Sequence, residues 1–393
     1  MTVRKILHLD LDAFFCSVEE LHDPTLIGKA FAVGGNPQGR GVIVSASYAA
    51  RKFGVHAAMP SARALKLCPN LIFVRSRHSV YATYSNKVMD ILRDISPLVQ
   101  QISVDEAFLD VTDIQKPIES ICCDLQNRID RETKLPISIG AGTSKMIAKI
   151  ANNIGKSRVK TGKSPRSINI VQAGDEAAFL ASLDIQEMWG IGPKSADRLR
   201  SRGFKTIGDL ANADISELAE YFGKNAELMK NRALGIDHSP VHTLREAKSF
   251  SNEITFDEDS DDIDFLKNII MQLSDKVAWR LRKENLAGKV ISIKIRYSDF
   301  STFTRQKALA NPTNVGDEIF EKSYALFLEN VNHNRAIRLI GVGVSHLEVP
   351  FTQLELFGDN IQKKQDLVQA VDSLRDKFGK DVIIRANQLK KKN

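Results

Sequence analysis

Residues 100–112, QQISVDEAFLDVT, constrain the chain more than any other stretch, because two acids stand side by side between strand-like flanks. Ile102 and Val104 alternate before the pair, and Phe108, Leu109 and Val111 follow it. On a flat strand Asp105 and Glu106 would point to opposite faces. A bend at the pair, as at the tip of a hairpin, lets both carboxylates converge. Crowding ionised carboxylates costs on the order of several kcal/mol unless a cation offsets their repulsion and desolvation. A divalent metal is the obvious candidate. Adjacent Asp-Glu pairs are also common at exposed turns, so the metal reading requires another acid from elsewhere.

Residues 5–12, KILHLDLD, supply it. Leu7, Leu9 and Leu11 alternate with His8, Asp10 and Asp12, the pattern of a half-buried strand that ends in acids. A short helix follows and stops before Pro24. If the two strands lie side by side, Asp10 meets Asp105 and Glu106. Three carboxylates so placed can hold two divalent ions roughly 3.5–4 Å apart, an arrangement that stabilises attacking and leaving oxygens in phosphoryl transfer. Hard oxygen donors of this kind suit magnesium.

Residues 30–67 read as a small lobe with strands at 31–33 and 41–45 around a Gly/Pro/Asn turn. Within it Tyr48 and Arg51 sit three apart, on one side of a helical turn, where phenol and guanidinium can both hydrogen-bond phosphate. Helices are predicted over 80–92 and 118–131, a strand over 136–141, and then a helix capped by Thr143 with a core face of Met146, Ile147, Ile150 and Ile154. The order strand, helix, hairpin, helix, strand, helix is the split βαβ pattern of a ferredoxin-like domain, and the fold class is α+β. Lys156 closes this region in position to reach a phosphate.

The 393 residues carry 43% hydrophobic and 26% charged side chains, enough for several domains with buried cores. The net charge of +7 matters only where it clusters. One cluster is Lys156, Arg158, Lys160, Lys163 and Arg166; another spans 280–307. Basic surface suits a polyanion. An acidic run at 257–264 reads as a solvated loop or helix start. The four cysteines, Cys16, Cys68, Cys122 and Cys123, show no CxxC spacing, so neither a zinc site nor a disulfide framework is indicated. Charges interrupt the first twelve residues and no apolar run reaches membrane-spanning length, so a cytoplasmic protein without a membrane partner is expected.

Four motifs in order, HLDLDAFFCSVE, SASYAARKFGVHAAMP, SVDEAFLDVT and SIGAGTSKMIAKIAN, resemble those of the Y family of translesion DNA polymerases, in its bacterial DNA polymerase IV branch. The resemblance implies a low-fidelity, template-directed enzyme that extends a primer 3′-hydroxyl with deoxynucleoside triphosphates, using two Mg2+ ions. It implies metal ligation by Asp10, Asp105, Glu106 and the carbonyl of Leu11. Phe15 falls at the steric gate, a ring that leaves no room for a ribose 2′-hydroxyl. Ser45, Tyr48, Arg51 and Lys156 fall at nucleotide-binding positions. Departures are Asn153 for Asp, Ser47 for Asn, Trp189 for Pro, and Lys156-Ser157-Arg158-Val159 for Lys-Pro-Asn-Gly. The implied right hand has a ferredoxin-like palm (1–19 and 78–166), small fingers (20–77), a helix-hairpin-helix thumb (167–236), a linker (237–244), an α/β little finger (245–349) and a clamp-binding motif with tail (350–393).

Residues 189–211, WGIGPKSADRLRSRGFKTIGDLA, resemble the helix-hairpin-helix, with Gly190 and Gly192 letting backbone amides approach a DNA phosphate, Lys194 nearby, and Leu199, Phe204, Ile207 and Leu210 as core. Residues 290–297, VISIKIRY, place Ile291, Ile293 and Ile295 on one face and Ser292, Lys294 and Arg296 on the other. Together with Arg305 and Lys307 this predicts a basic sheet face that straddles primer-template DNA through phosphates. Gln353, Leu354, Leu356 and Phe357 of QLELF resemble the peptide by which bacterial polymerases bind the sliding clamp. A monomer is expected. Two other classes compete: a haloacid-dehalogenase-like phosphohydrolase with Asp10 as nucleophile, disfavoured by Phe14 where Thr or Val is required, and a catalytically silent DNA and clamp binder.

Overall fold

The computed structural model describes residues 3–159, 163–243, 246–350, 368, 370–374, 377–379 and 382–383. The chain divides into two units, Met1–Arg245 and Glu246–Asn393.

The first unit opens on strand β1 (Ile6–Leu11) and helix α1 (Phe14–His22). Between them Ala13 adopts φ 45° and ψ 45°, a left-handed conformation uncommon outside glycine, and the chain turns sharply there. A lobe follows: β2 (Phe31–Gly34), β3 (Ile43–Ala46), α2 (Tyr48–Arg51), α3 (Ser61–Leu67) and β4 (Ile72–Val74). Its sheet runs β3-β2-β4 over a separate core that includes Ala32, Ile43, Ala50 and Met59. The third strand, parallel to β2, was not expected from the sequence; three residues are too few to show a period.

Next come α4 (His78–Ile95), β5 (Val99–Gln101), β6 (Glu106–Asp110), α5 (Ile118–Thr133), β7 (Ile137–Gly142), α6 (Lys145–Arg158) and β8 (Ile168–Ile170). The sheet order is β5-β6-β1-β7-β8, with β1 central and antiparallel to both neighbours. Without the added edge strand β8 this is the ferredoxin-like arrangement. Helix α6 lies close on β7: a Cβ at Gly140 would meet the Ala148 carbonyl oxygen at 2.0 Å. Two local expectations are corrected. Ile102 and Val104 do not extend a strand but lie exposed in the turn between β5 and β6, where the Ile102 and Ser103 amides both bond the Glu106 carbonyl. Ser144, not Thr143, caps α6, accepting from the Ile147 amide; the Thr143 hydroxyl bonds Glu176 instead.

The unit ends in helices α7 (Glu176–Ala181), α8 (Pro193–Arg200), α9 (Ile207–Asn212), α10 (Ile215–Phe222) and α11 (Ala226–Ala233). Leu180, Met188, Leu199, Phe204, Ile207 and Leu210 share their core with Met146, Ile147 and Ile150 of α6.

The second unit comprises β9 (Ser249–Ser260), α12 (Ile263–Lys283), β10 (Ala287–Tyr297), β11 (Thr302–Thr313), α13 (Gly316–Asn330) and β12 (Ile337–Glu348). Its antiparallel sheet runs β11-β10-β12-β9. Leu266, Ile270, Val277, Ile319 and Phe327 of the helices pack with Ile291, Ile293 and Ile295. The acidic run does not form a loop throughout: it finishes β9, and Asp262 caps α12 by accepting from the amides of Asp264 and Phe265.

Candidate active site

In the β1–β6 register Asp10 stands directly opposite Glu106, so the two carboxylates leave the same face of the sheet. One step on, the Leu11 amide bonds the Asp105 carbonyl at 2.9 Å. Acids 95 or more residues apart in the chain thus become neighbours. Because α1 turns back at Ala13, a cavity of about 240 Å³ is bounded by Asp10, Leu11, Phe15, Ser45, Arg51, Asp105 and Lys156.

Each acid already has a partner. Lys156 Nζ donates to Asp10 Oδ1 at 2.6 Å. Ser103 Oγ donates to Asp105 Oδ1 at 2.6 Å. Burial first, and then the charges of Asp10 and Glu106, push the Asp105 carboxyl above its ordinary value against that hydrogen bond. Glu106 Oε1 accepts from Lys149 and from His8 Nε2, the latter at 3.0 Å. Burial acts to raise the Glu106 pKa, but these two donors outweigh it and hold it at about 2. Among the described residues no three His, Cys, Asp or Glu side chains converge as a ready metal cage. The backbones of the three acids adjoin, and Lys149 and Lys156 each pair with one of the side chains, as ammonium groups do beside carboxylates.

Asp12, read from sequence as one of the acids at the strand end, is fully buried. It accepts from Ser138 Oγ and the Arg166 amide, with Lys156 Nζ at 3.5 Å, and so ties β7 and the segment before β8 to the turn after β1. Within the basic cluster, Arg166 pairs with Asp130 and Lys156 with Asp10.

The Phe15 ring stacks on Tyr81 at 4.2 Å with planes 15° apart, and Tyr81 Oη donates to Glu19, which Arg77 also grips. Arg51 lies over the Tyr48 ring at 4.5 Å and bonds the Ala46 carbonyl through Nε. Tyr48 faces a neighbouring cavity of about 500 Å³, which also touches Lys29, Lys52 and Lys163. Its hydroxyl oxygen is buried without a hydrogen-bond partner. Burial, and then Asp12, raise its pKa, so the group stays protonated as an unused donor.

Sequence reasoning passed over His8, Lys149 and Asn152. His8 Nδ1 accepts from Asn152 Nδ2 at 2.9 Å, which makes Nε2 the protonated nitrogen that donates to Glu106. Burial, the largest influence, lowers the His8 pKa and favours this neutral ring. The available signal was the polar stripe Lys145, Lys149, Asn152 and Lys156 along one side of α6. Trp189 packs here too: its indole lies 5.7 Å from Phe108 and 6.0 Å from Lys149 Nζ.

At the hairpin Gly190 has φ 101°, a conformation that favours glycine, and Pro193 begins α8. Gly190, Gly192 and Lys194 are all exposed. In the second unit Lys294 and Arg296 leave the sheet face opposite Ile293 and Ile295, and Lys294 pairs with Glu253. Arg305 is corrected: it stands opposite Ile293, and Lys307 opposite Ile291, so both project from the helix-covered side of the edge strand. Arg305 Nε bonds Asn330 Oδ1 at the end of α13. Gln353, Leu354, Leu356 and Phe357 lie outside the described residues.

Comparison with known proteins identifies the family. The impB/mucB/samB family pattern matches residues 9–153, its C-terminal domain matches 247–356, and a helix-hairpin-helix tandem matches 182–229. DNA polymerase IV of Dehalococcoides mccartyi (strain ATCC BAA-2266 / KCTC 15142 / 195) is 41% identical over 384 residues, 96% of each chain. The chain belongs to the Y family of DNA polymerases, in the DNA polymerase IV branch. It is a DNA-directed DNA polymerase of the translesion class, and the family is metal-dependent. DNA polymerase IV of Oceanobacillus iheyensis (strain DSM 14371 / CIP 107618 / JCM 11309 / KCTC 3954 / HTE831) is 37% identical over 389 residues, covering 97% of this chain and 91% of its own. A solved Y-family DNA polymerase chimera shares the fold with a TM-score of 0.78 at 24% identity, over 88% of this chain and 99% of its own. The phosphohydrolase alternative is not favoured: its nucleophile motif was sought in Asp10-Leu11-Asp12, but the matched family and the ferredoxin-like sheet around Asp10 are those of a polymerase. Among the described residues no helix is long and apolar enough to cross a membrane.

Proposed function

We propose that Asp10, Asp105, Glu106 and the Leu11 carbonyl hold two Mg2+ ions beside the cavity, where a primer 3′-hydroxyl attacks the α-phosphate of a deoxynucleoside triphosphate. A new bond forms from the 3′-oxygen to the α-phosphorus, the bond from that phosphorus to the oxygen bridging the β-phosphate breaks, the hydroxyl proton passes to solvent and pyrophosphate leaves. The observation that carries this reading is the pairing of Asp10 with Glu106 next to Asp105, at the edge of a cavity that also contains Phe15, Ser45, Arg51 and Lys156. All the donors are hard oxygens, which fits magnesium. When bound, the ions lower the pKa of the primer hydroxyl and neutralise charge on the departing pyrophosphate.

The chain's own side chains do the rest. Arg51 and Lys156 bind the triphosphate, and the unpartnered Tyr48 hydroxyl, one cavity away, has a donor to give to a phosphate oxygen. Phe15, braced by Tyr81, excludes a ribose 2′-hydroxyl. Ala57 in the cavity wall, with Ala46, Ala49 and Ala58 nearby, leaves room for imperfect pairs, hence low fidelity. The palm, fingers, thumb, linker and little finger occupy the residue ranges given above, and the unit boundary at 245/246 supports the last of them. Primer-template DNA is gripped through phosphates by Gly190, Gly192 and Lys194 and by the face that bears Lys294 and Arg296. Residues 353–357 bind a sliding clamp, and the protein acts as a cytoplasmic monomer.

Glu106→Ala tests the centre of this reading. Primer extension is expected to vanish while affinity for primer-template, read by fluorescence anisotropy, persists. Unchanged extension excludes the assignment.

A further inference from the structure

Helix α6 carries two lysines seven residues apart, two turns along one side, and each ammonium rests on a different carboxylate of the sheet. Lys156 sits at the nucleotide end, where its pairing with Asp10 is shared with a phosphate-binding role. Lys149 has no such second duty. It is walled on one side by the Trp189 indole, and it ends on Glu106 Oε1, where the neutral His8 ring also donates. The side chains of Lys149 and Glu106 are only 20% and 18% exposed, so solvent screens the pair weakly.

We propose that Lys149 is the resident counter-cation of Glu106, a positioning residue that offsets the carboxylate's charge in the metal-free protein and so sets how tightly the site takes a divalent ion. This rests on reading Glu106 as a metal ligand. Before a metal arrives, Asp10, Asp105 and Glu106 repel one another, and Lys149 supplies the opposing charge from inside the fold. When a divalent ion competes for Glu106, it meets an ammonium already at one carboxylate oxygen and must overcome that repulsion. Lys149 thereby keeps the acidic centre assembled yet metal-poor, and sharpens its dependence on whatever else draws metal in.

The test uses the full-length protein and Mn2+ alone, with free Mn2+ counted by electron paramagnetic resonance. Wild type, Lys149→Met, Lys149→Arg, Glu106→Gln and the Lys149→Met/Glu106→Gln double variant are compared, with circular dichroism as the check on folding. Lys149→Met is expected to bind Mn2+ at least about fivefold more tightly than wild type, because a like charge beside the site has gone. Lys149→Arg restores the weaker binding, and the double variant loses the gain. In EDTA the melting temperature of Lys149→Met falls below wild type, and Mn2+ recovers more of it than in wild type. A merely structural lysine would give unchanged or weaker Mn2+ binding in folded Lys149→Met, and that result overturns the proposal. If Glu106→Gln instead binds Mn2+ as wild type does, the ligand reading of Glu106 fails and takes the proposal with it. The two failures are distinct, because the first leaves the loss in Glu106→Gln intact.

Discussion

Phe15 shows how much a single side chain owes to its neighbours. Its ring is half-buried, but the stack on Tyr81, itself fastened by Glu19 and Arg77, fixes where the ring can be. Phe15→Ala removes the ring and leaves the brace. Ribonucleotide insertion relative to deoxynucleotide insertion is therefore expected to rise by about tenfold or more, the scale of one lost steric contact in a pocket. Single-nucleotide incorporation with each triphosphate measures it, and an unchanged ratio would remove Phe15 from the sugar site. Glu106 makes the complementary point. From sequence it is one of two adjacent acids, whereas in the fold hydrogen bonds from His8 and Lys149, residues 98 and 43 positions away, lower its pKa against the effect of burial.

At the scale of elements, periodicity read α4, α5, α6 and the apolar face of β10, gave no prediction for the long helices α12 and α13, and missed short pieces. Helix α5 and the Ile291-Ile293-Ile295 face of β10 were legible because apolar spacing repeats along them. Strands β4 and β8, three residues each, and the choice of Ser144 over Thr143 as cap were not, since adjacent hydroxyl residues are equivalent until the turn geometry selects one. Helix α9 begins with a capping box in which Thr206 accepts from the Asp209 amide and Asp209 accepts from the Thr206 amide. Thr206→Ala should cost about 1 kcal/mol in urea denaturation. The amide bonds of Thr206 and then Lys205 hold the Asp209 carboxyl below its ordinary value of 3.8. Its contribution is therefore present above that pH and is lost as pH falls through the lowered value, so Asp209→Asn should flatten the acid limb of stability against pH.

For the molecule as a whole, an excess of +7 charges predicts DNA binding that weakens with salt, and the fold sorts the basic side chains of the second unit by sheet face. Replacing Lys294 and Arg296 by alanine should reduce the slope of log affinity against log salt by about 2, measured by titration from low to high salt. Arg305→Ala should change it less, because the β10–β11 register turns that side chain to the helix-covered side. Equal effects from all three would contradict the assignment of faces. The alternation of leucine with polar residues in β1, the Asp105-Glu106 pair and the split βαβ order around them were written in the sequence, because they depend on spacing within one segment. That Asp10 faces Glu106, that Asp12 is buried, and that Lys149 and Lys156 each hold a carboxylate were settled only by the fold. Such contacts depend on strand register and on the angle at which α6 crosses the sheet, and no local pattern along the chain encodes a distance between residues 43 to 146 positions apart.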